Sequence, residues 1–145
     1  MRVAHLLRKY DPAEWGGTET AIARLTAGFA GRGVESVVFA PRLPPAVTAA
    51  DPLAAAGCVV RRFRAFVAVW GISAERKRQM VAVGGNLMSF DLFRSLWREP
   101  RLAVIHAHVL GRLGAIGRTV ARSRGLPFVL SVHGGAYDLP ATVRQ

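Results

Sequence analysis

The first 40 residues run through an apolar stretch, a glycine turn, a helical stripe, a second glycine and a second apolar stretch. That spacing limits the fold more than any other feature. Val3-Ala4-His5-Leu6-Leu7 has the continuous apolar character of a strand covered on both faces. Residues 18–32 carry Ile22, Leu25 and Phe29 at i, i+3 and i+7, with Glu19, Arg24 and Arg32 off the stripe, as in a helix with one buried side. Gly33 supplies a left-handed stop, and Ser36-Val37-Val38-Phe39-Ala40 reads as a second buried strand closed by Pro41. Strand, helix and strand at this distance form a βαβ unit, whose crossover makes the two strands parallel neighbours.

The rest of the chain continues the alternation. Residues 41–56 hold four prolines and read as a loop with a short helical turn at 51–56, followed by a third strand at 58–63. Gly84-Gly85-Asn86 breaks the chain, and Phe90, Phe93, Leu96 and Trp97 then recur at helical spacing, which predicts a core-facing aromatic helix. Leu102-Ala103-Val104-Ile105 is a fourth buried strand running into His106-Ala107-His108. Residues 110–124 show Leu113, Ile116, Gly117 and Val120 on one helical face, and Phe128-Val129-Leu130-Ser131-Val132 is a fifth strand ending at His133-Gly134-Gly135. The expected fold is α/β: a single Rossmann-like domain over residues 1–145, with a doubly wound parallel sheet of order 3-2-1-4-5 and helices on both faces.

Composition narrows the partners. The chain of 145 residues carries a formal charge of +11, built from 18 Arg and 2 Lys against nine acids, and such an excess calls for an anionic partner. Nucleic acid is set aside, because no zinc-ligand pairs, ribonucleoprotein aromatics or basic-zipper pattern accompany the charge. Residues 60–80 concentrate it: Arg61, Arg62, Arg64, Arg76, Lys77 and Arg78 interleave with Phe66 and Trp70. That span reads either as an edge strand with a solvated helix, or as a patch for anionic headgroups or a lipid-linked acceptor. The lone cysteine, Cys58, precludes an internal disulfide and fits a reducing compartment. No apolar stretch reaches the roughly 18 residues of a membrane span. A cytoplasmic location is therefore expected, with peripheral contact on the inner face of the membrane as its extension.

Gly16-Gly17 lies at the strand-to-helix turn where α/β proteins hold phosphates, because glycine lets backbone N–H groups approach an anion at the positive end of a helix. Glycines also serve such turns through a positive φ or close packing, so both roles stand at this point. The dinucleotide pattern G-x-G-x-x-G and the Walker A pattern are both absent. In the expected strand order, ligands sit beyond the carboxyl ends of the first and fourth strands, where the winding reverses. Gly16, Gly17, His108, His133, Gly134 and Gly135 all face that crevice, while His5 is expected to be a hydrogen-bonded residue inside its strand. A metal held by His106, His108 and His133 is not expected, since no carboxylate is well placed to complete it and Asp138 lies in the tail.

Five segments in order carry a family likeness. Met1-Arg2-Val3-Ala4-His5-Leu6-Leu7 leads to Gly16-Gly17-Thr18-Glu19, then come Phe29-Ala30-Gly31-Arg32-Gly33-Val34-Glu35-Ser36-Val37 and Val104-Ile105-His106-Ala107-His108, and Pro127-Phe128-Val129-Leu130-Ser131-Val132-His133-Gly134-Gly135 closes the set. Together they resemble the N-terminal, acceptor-side domain of retaining GT-B glycosyltransferases of family 4. The resemblance implies sugar transfer from a nucleotide-diphosphate sugar to a saccharide or lipid-linked acceptor, in cell-surface polysaccharide or glycolipid synthesis. It implies no cofactor and no essential metal. It places Gly16 and Gly17 at the donor diphosphate, His133 at the transferred sugar, and His108, Gly134 and Gly135 on the acceptor side of the crevice. The family holds its nucleotide with a second Rossmann-like domain bearing a Glu-x7-Glu pair, and no Glu follows Glu99 here. The C-terminal domain is thus expected in cis or in trans, with negligible transfer by this chain alone. The alternative is a non-catalytic module that binds anionic membrane or lipid-linked sugar through its basic and aromatic span.

Overall fold

The computed structural model describes residues 1–42, 50–82 and 86–133. Its elements are, in chain order, β1 (Arg2–Leu6), α1 (Gly17–Ala30), β2 (Glu35–Pro41), α2 (Pro52–Ala55), β3 (Val59–Phe63), β4 (Phe66–Val67), α3 (Ala74–Ala82), β5 (Leu87–Met88), α4 (Phe90–Arg98), β6 (Leu102–Ala107), α5 (Gly111–Ser123) and β7 (Phe128–Leu130). Five strands form one sheet in the order β3-β2-β1-β6-β7, every pair parallel. This is the expected doubly wound order, with the reversal between β1 and β6.

Alternation along the strands sends side chains to two cores. Ala4, Leu6, Val37, Phe39 and Ile105 pack with Leu92 and Leu96 of α4 and with Leu113 and Val120 of α5. On the opposite face Leu7, Val38 and Ala40 pack with Ile22 of α1 and Leu53 of α2. Helices therefore cover both faces of the sheet. The helix α5 approaches the sheet closely because it carries glycines at the contact: a Cβ on Gly117 would lie 2.4 Å from Leu6 Cδ1, and one on Gly114 would lie 2.4 Å from the carbonyl oxygen of Val109. Gly33 has φ +65, the left-handed stop its position after α1 predicts.

The structure differs from the sequence expectation at several points. β1 ends at Leu6, one residue short of the apolar run, and the fifth strand, β7, ends at Leu130 instead of Val132. β2 takes in Pro41 as its last residue, and the next N–H, that of Arg42, still bonds Phe63 O at 2.9 Å. An antiparallel pair of two-residue strands, β4 and β5, joins the segments before and after α3. Finally, α4 does not bury its aromatics. Leu92 and Leu96 fill the core completely, whereas Phe90, Phe93 and Trp97 are 71%, 40% and 46% exposed. The Leu92 and Leu96 pair sits four apart and defines the inward stripe, which leaves the aromatics on the outer side of the same short helix.

Cys58 is buried beside Thr26, with Sγ and Oγ1 3.1 Å apart, and burial raises its thiol pKa. It behaves as a small core residue. No helix among the described residues is long and apolar enough to cross a membrane.

Candidate functional site

Two adjoining depressions open at the carboxyl ends of β1 and β6. One, of about 200 Å3, is lined by Arg8, Gly16, Gly17 and His108 together with the carboxylates of Asp11, Glu14 and Glu19. The other, of about 410 Å3, is lined by Arg8, Thr18, His108, Ser131 and His133. Residues far apart in sequence therefore meet where the sheet reverses direction. Gly134 and Gly135 lie outside the described residues.

The glycine pair forms the start of α1. Gly16 is the N-cap, with φ −132, and Gly17 is the first helical residue, so neither has a left-handed backbone. A Cβ on Gly17 would meet nothing within 4 Å. Neither strain nor packing requires glycine at position 17, and the absence of a side chain there leaves space beside the positive end of the helix. The donor set is partly used already. Gly16 N–H donates to Glu19 Oε2 at 3.1 Å, and Thr20 Oγ1 donates to Gly16 O at 2.9 Å. An anion arriving here meets the N–H groups after Gly16, or displaces the Glu19 carboxylate.

Four histidines gather at the reversal point, three of them in a line. His5 pairs with His106 in the β1–β6 register. His5 Nδ1 lies 3.1 Å from His108 Nε2, and His108 Nδ1 lies 2.7 Å from His133 Nε2. His106 stands aside from this line, with Nε2 2.7 Å from Ser131 Oγ and its ring centroid 4.1 Å from that of His108. His5 is completely buried and its Nε2 has no hydrogen-bond partner among the described residues. Burial, reinforced by His106, lowers the His5 pKa to about 4. Burial, reinforced by its three histidine neighbours, lowers that of His108 to about 3. His106 is lowered too, again by burial first and then by His133. His5 and His108 are therefore neutral near pH 7, each with one ring proton. Each link of the line needs one proton between two nitrogens, so the position of the proton at His5 dictates its position on His108.

Ring nitrogens of His5, His106 and His108 all fall within 4.8 Å of one another, close enough to share a cation. This trio differs from the one weighed in sequence, with His5 in place of His133. In the structure the facing nitrogens of His5 and His108 engage each other, and His106 Nε2 engages Ser131.

Two site residues escaped the sequence expectation. His5 joins the histidine line instead of serving only its own strand; its register opposite His106 was the available signal. Arg8 lines both depressions, and it is the first charged residue after a strand whose end the topology assigns to ligand.

The basic span is not one patch. Arg62 is a structural residue: its Nη1 donates to Tyr10 O at 2.6 Å and Pro41 O at 3.2 Å, its Nη2 lies 3.7 Å from Asp51, and its guanidinium stacks 4.7 Å from the Tyr10 ring centroid. Arg61 directs Nε to Glu99 at 3.5 Å. Arg64, Arg76 and Arg78 are exposed and Lys77 is half-buried, the last three lying along α3.

Residues 16–145 match the family described as the glycosyl transferase 4-like domain. No curated protein matches the chain.

Proposed function

This chain belongs to the glycosyl transferase 4-like domain family, and on that premise we propose that its crevice takes part in transferring a sugar from a nucleotide-diphosphate donor to an acceptor, with retention. The observation that carries this is the meeting of the N-terminus of α1, Arg8 and His133 at one reversal point of the sheet. As the sugar leaves, charge builds on the diphosphate. Fixed N–H donors at Gly17 and Thr18 and the Arg8 guanidinium oppose that charge without having to reorganise. His133 holds the transferred sugar, and His108 fixes the direction in which His133 points. The acceptor is a saccharide or a lipid-linked sugar destined for a cell-surface polysaccharide or glycolipid. Nucleotide selection falls to a C-terminal GT-B domain supplied in cis or in trans, and the chemistry needs no metal.

The test is to fuse this chain to, or mix it with, a C-terminal domain from the same family and to measure transfer from nucleotide sugars. Transfer is expected from the combination and not from the chain alone. His133→Ala should lower the restored rate by about 10²-fold or more, the scale of removing one oriented polar contact to a transition state. An unchanged rate in His133→Ala removes the site assignment.

A further inference from the structure

We propose that the outward face of α4, together with the arginines at the ends of β2 and β3, docks on the surface of an anionic lipid bilayer. The groove there has a volume of about 830 Å3 and is lined by Phe90, Phe93 and Trp97 with Arg42, Arg64, Arg94 and Arg98, against Asp91 as the single acid among the described residues. All three aromatics are exposed, and Phe93 and Trp97 stack with their rings 12° from parallel and centroids 5.9 Å apart. A fourth aromatic, the exposed Phe66, extends the row to 5.9 Å from Phe90.

The face is held rigidly. Ser89 caps α4, its Oγ accepting from Leu92 N at 2.9 Å and donating to Arg64 O at 2.6 Å. Asp91 Oδ2 accepts from Arg64 N at 2.8 Å, so that acid is already engaged by backbone. Inward, Leu92 and Leu96 fix the helix to the sheet. Exposed aromatics on a short helix are an unfavourable arrangement in water unless something covers them. Charge selects the cover. Four arginines around the row repel a second copy of a chain that carries +11, and they suit a layer of phosphate headgroups. Aromatic rings with adjacent arginines are also the side chains that sit at the level of lipid headgroups. The exposed arginines of α3 lack this pairing, since that helix carries no aromatic residue.

This placement is independent of the crevice chemistry. Arg42 and Arg64 follow the carboxyl ends of β2 and β3, the same edge of the sheet on which the crevice opens, so docking brings the crevice toward the bilayer.

The experiment is co-sedimentation of the full chain with vesicles of phosphatidylcholine alone and of phosphatidylcholine with 30% phosphatidylglycerol (about a third anionic, as in charged natural surfaces). Binding to the anionic vesicles only, weakening with added salt, is expected. Arg94→Glu with Arg98→Glu should reduce that binding by about tenfold or more, at roughly fivefold per basic residue near the surface. Trp97→Ala should reduce it as well, and Arg76→Glu with Arg78→Glu on α3 should reduce it less. Circular dichroism and melting confirm that each variant is folded. Equal binding to neutral vesicles, no binding to either, or loss confined to the α3 variant overturns the proposal. So does a stable dimer in solution that Trp97→Ala dissociates, or binding to an oligonucleotide that needs the arginines but not Trp97.

Discussion

The imidazoles of His108 and His133 face each other nitrogen to nitrogen at 2.7 Å, and the other nitrogen of His108 is already matched to His5 at 3.1 Å. His108 is therefore spent on both sides and transmits, at a buried position, the proton arrangement of β1 to the crevice. Long-range 1H–15N correlation at pH 7.5 is expected to show one defined tautomer for His133. In His108→Ala that histidine should become a mixture of tautomers. An identical His133 spectrum in both proteins removes the coupling.

Acid should destabilise the fold through the same residues. His5 and His108 hold pKa values of about 4 and about 3 in the folded chain, against about 6.5 when unfolded. Between those limits the unfolded state binds more protons, so stability rises with pH and falls as pH drops below 6.5. Each histidine contributes at most about 2 kcal/mol of loss by pH 5. Urea unfolding at pH 7 and pH 5 measures the slope, and His108→Ala should flatten it relative to the parent chain.

Glycine in α5 is required for packing. Gly114→Ala sets a methyl 2.4 Å from the Val109 carbonyl oxygen, and a backbone atom cannot swing aside as a side chain can. Overpacking of this kind costs about 1–3 kcal/mol. Thermal melting should fall by several degrees. Gly17→Ala, which meets nothing within 4 Å, should change stability far less.

Glu99 ties the start of β1 to the segment before β6. It is 5% exposed and receives Arg2 Nη1 at 2.5 Å and Arg61 Nε at 3.5 Å. Glu99→Gln removes the charge while leaving the Arg2 guanidinium, 14% exposed, without its inner partner. Chemical denaturation should show a lower midpoint than in the parent chain, because Arg2 and Arg61 lose the carboxylate they share. Arg101→Ala, at the exposed ion pair with Glu35, should change stability far less.

Much of the fold was legible because it rests on local pattern. Apolar runs at residues 3–7, 36–40 and 102–105, separated by helical stripes and glycine stops, specify parallel strands with crossovers, and handedness then leaves few orders. That order alone places Gly16, Gly17, His108 and His133 at one edge of the sheet, beside the reversal between β1 and β6. The side to which α4 turns its aromatics was not legible. Phe90, Phe93 and Trp97 match a helical period as well as Leu92 and Leu96 do, and only the position of the sheet decides which stripe is inside. Arg62 escaped for a similar reason, since its partners Tyr10 and Asp51 lie 52 and 11 positions away along the chain.

The sequence by itself determined the main elements, their parallel order and the edge of the sheet at which Gly16, Gly17, His108 and His133 meet, because hydrophobic period and turn residues act within a few positions. Tertiary structure alone decided which polar groups share protons or charge: His5 with His108, Arg61 with Glu99, Arg62 with Tyr10. Those pairings depend on ångström distances between strands, and hydrogen bonds and desolvation change steeply over that range.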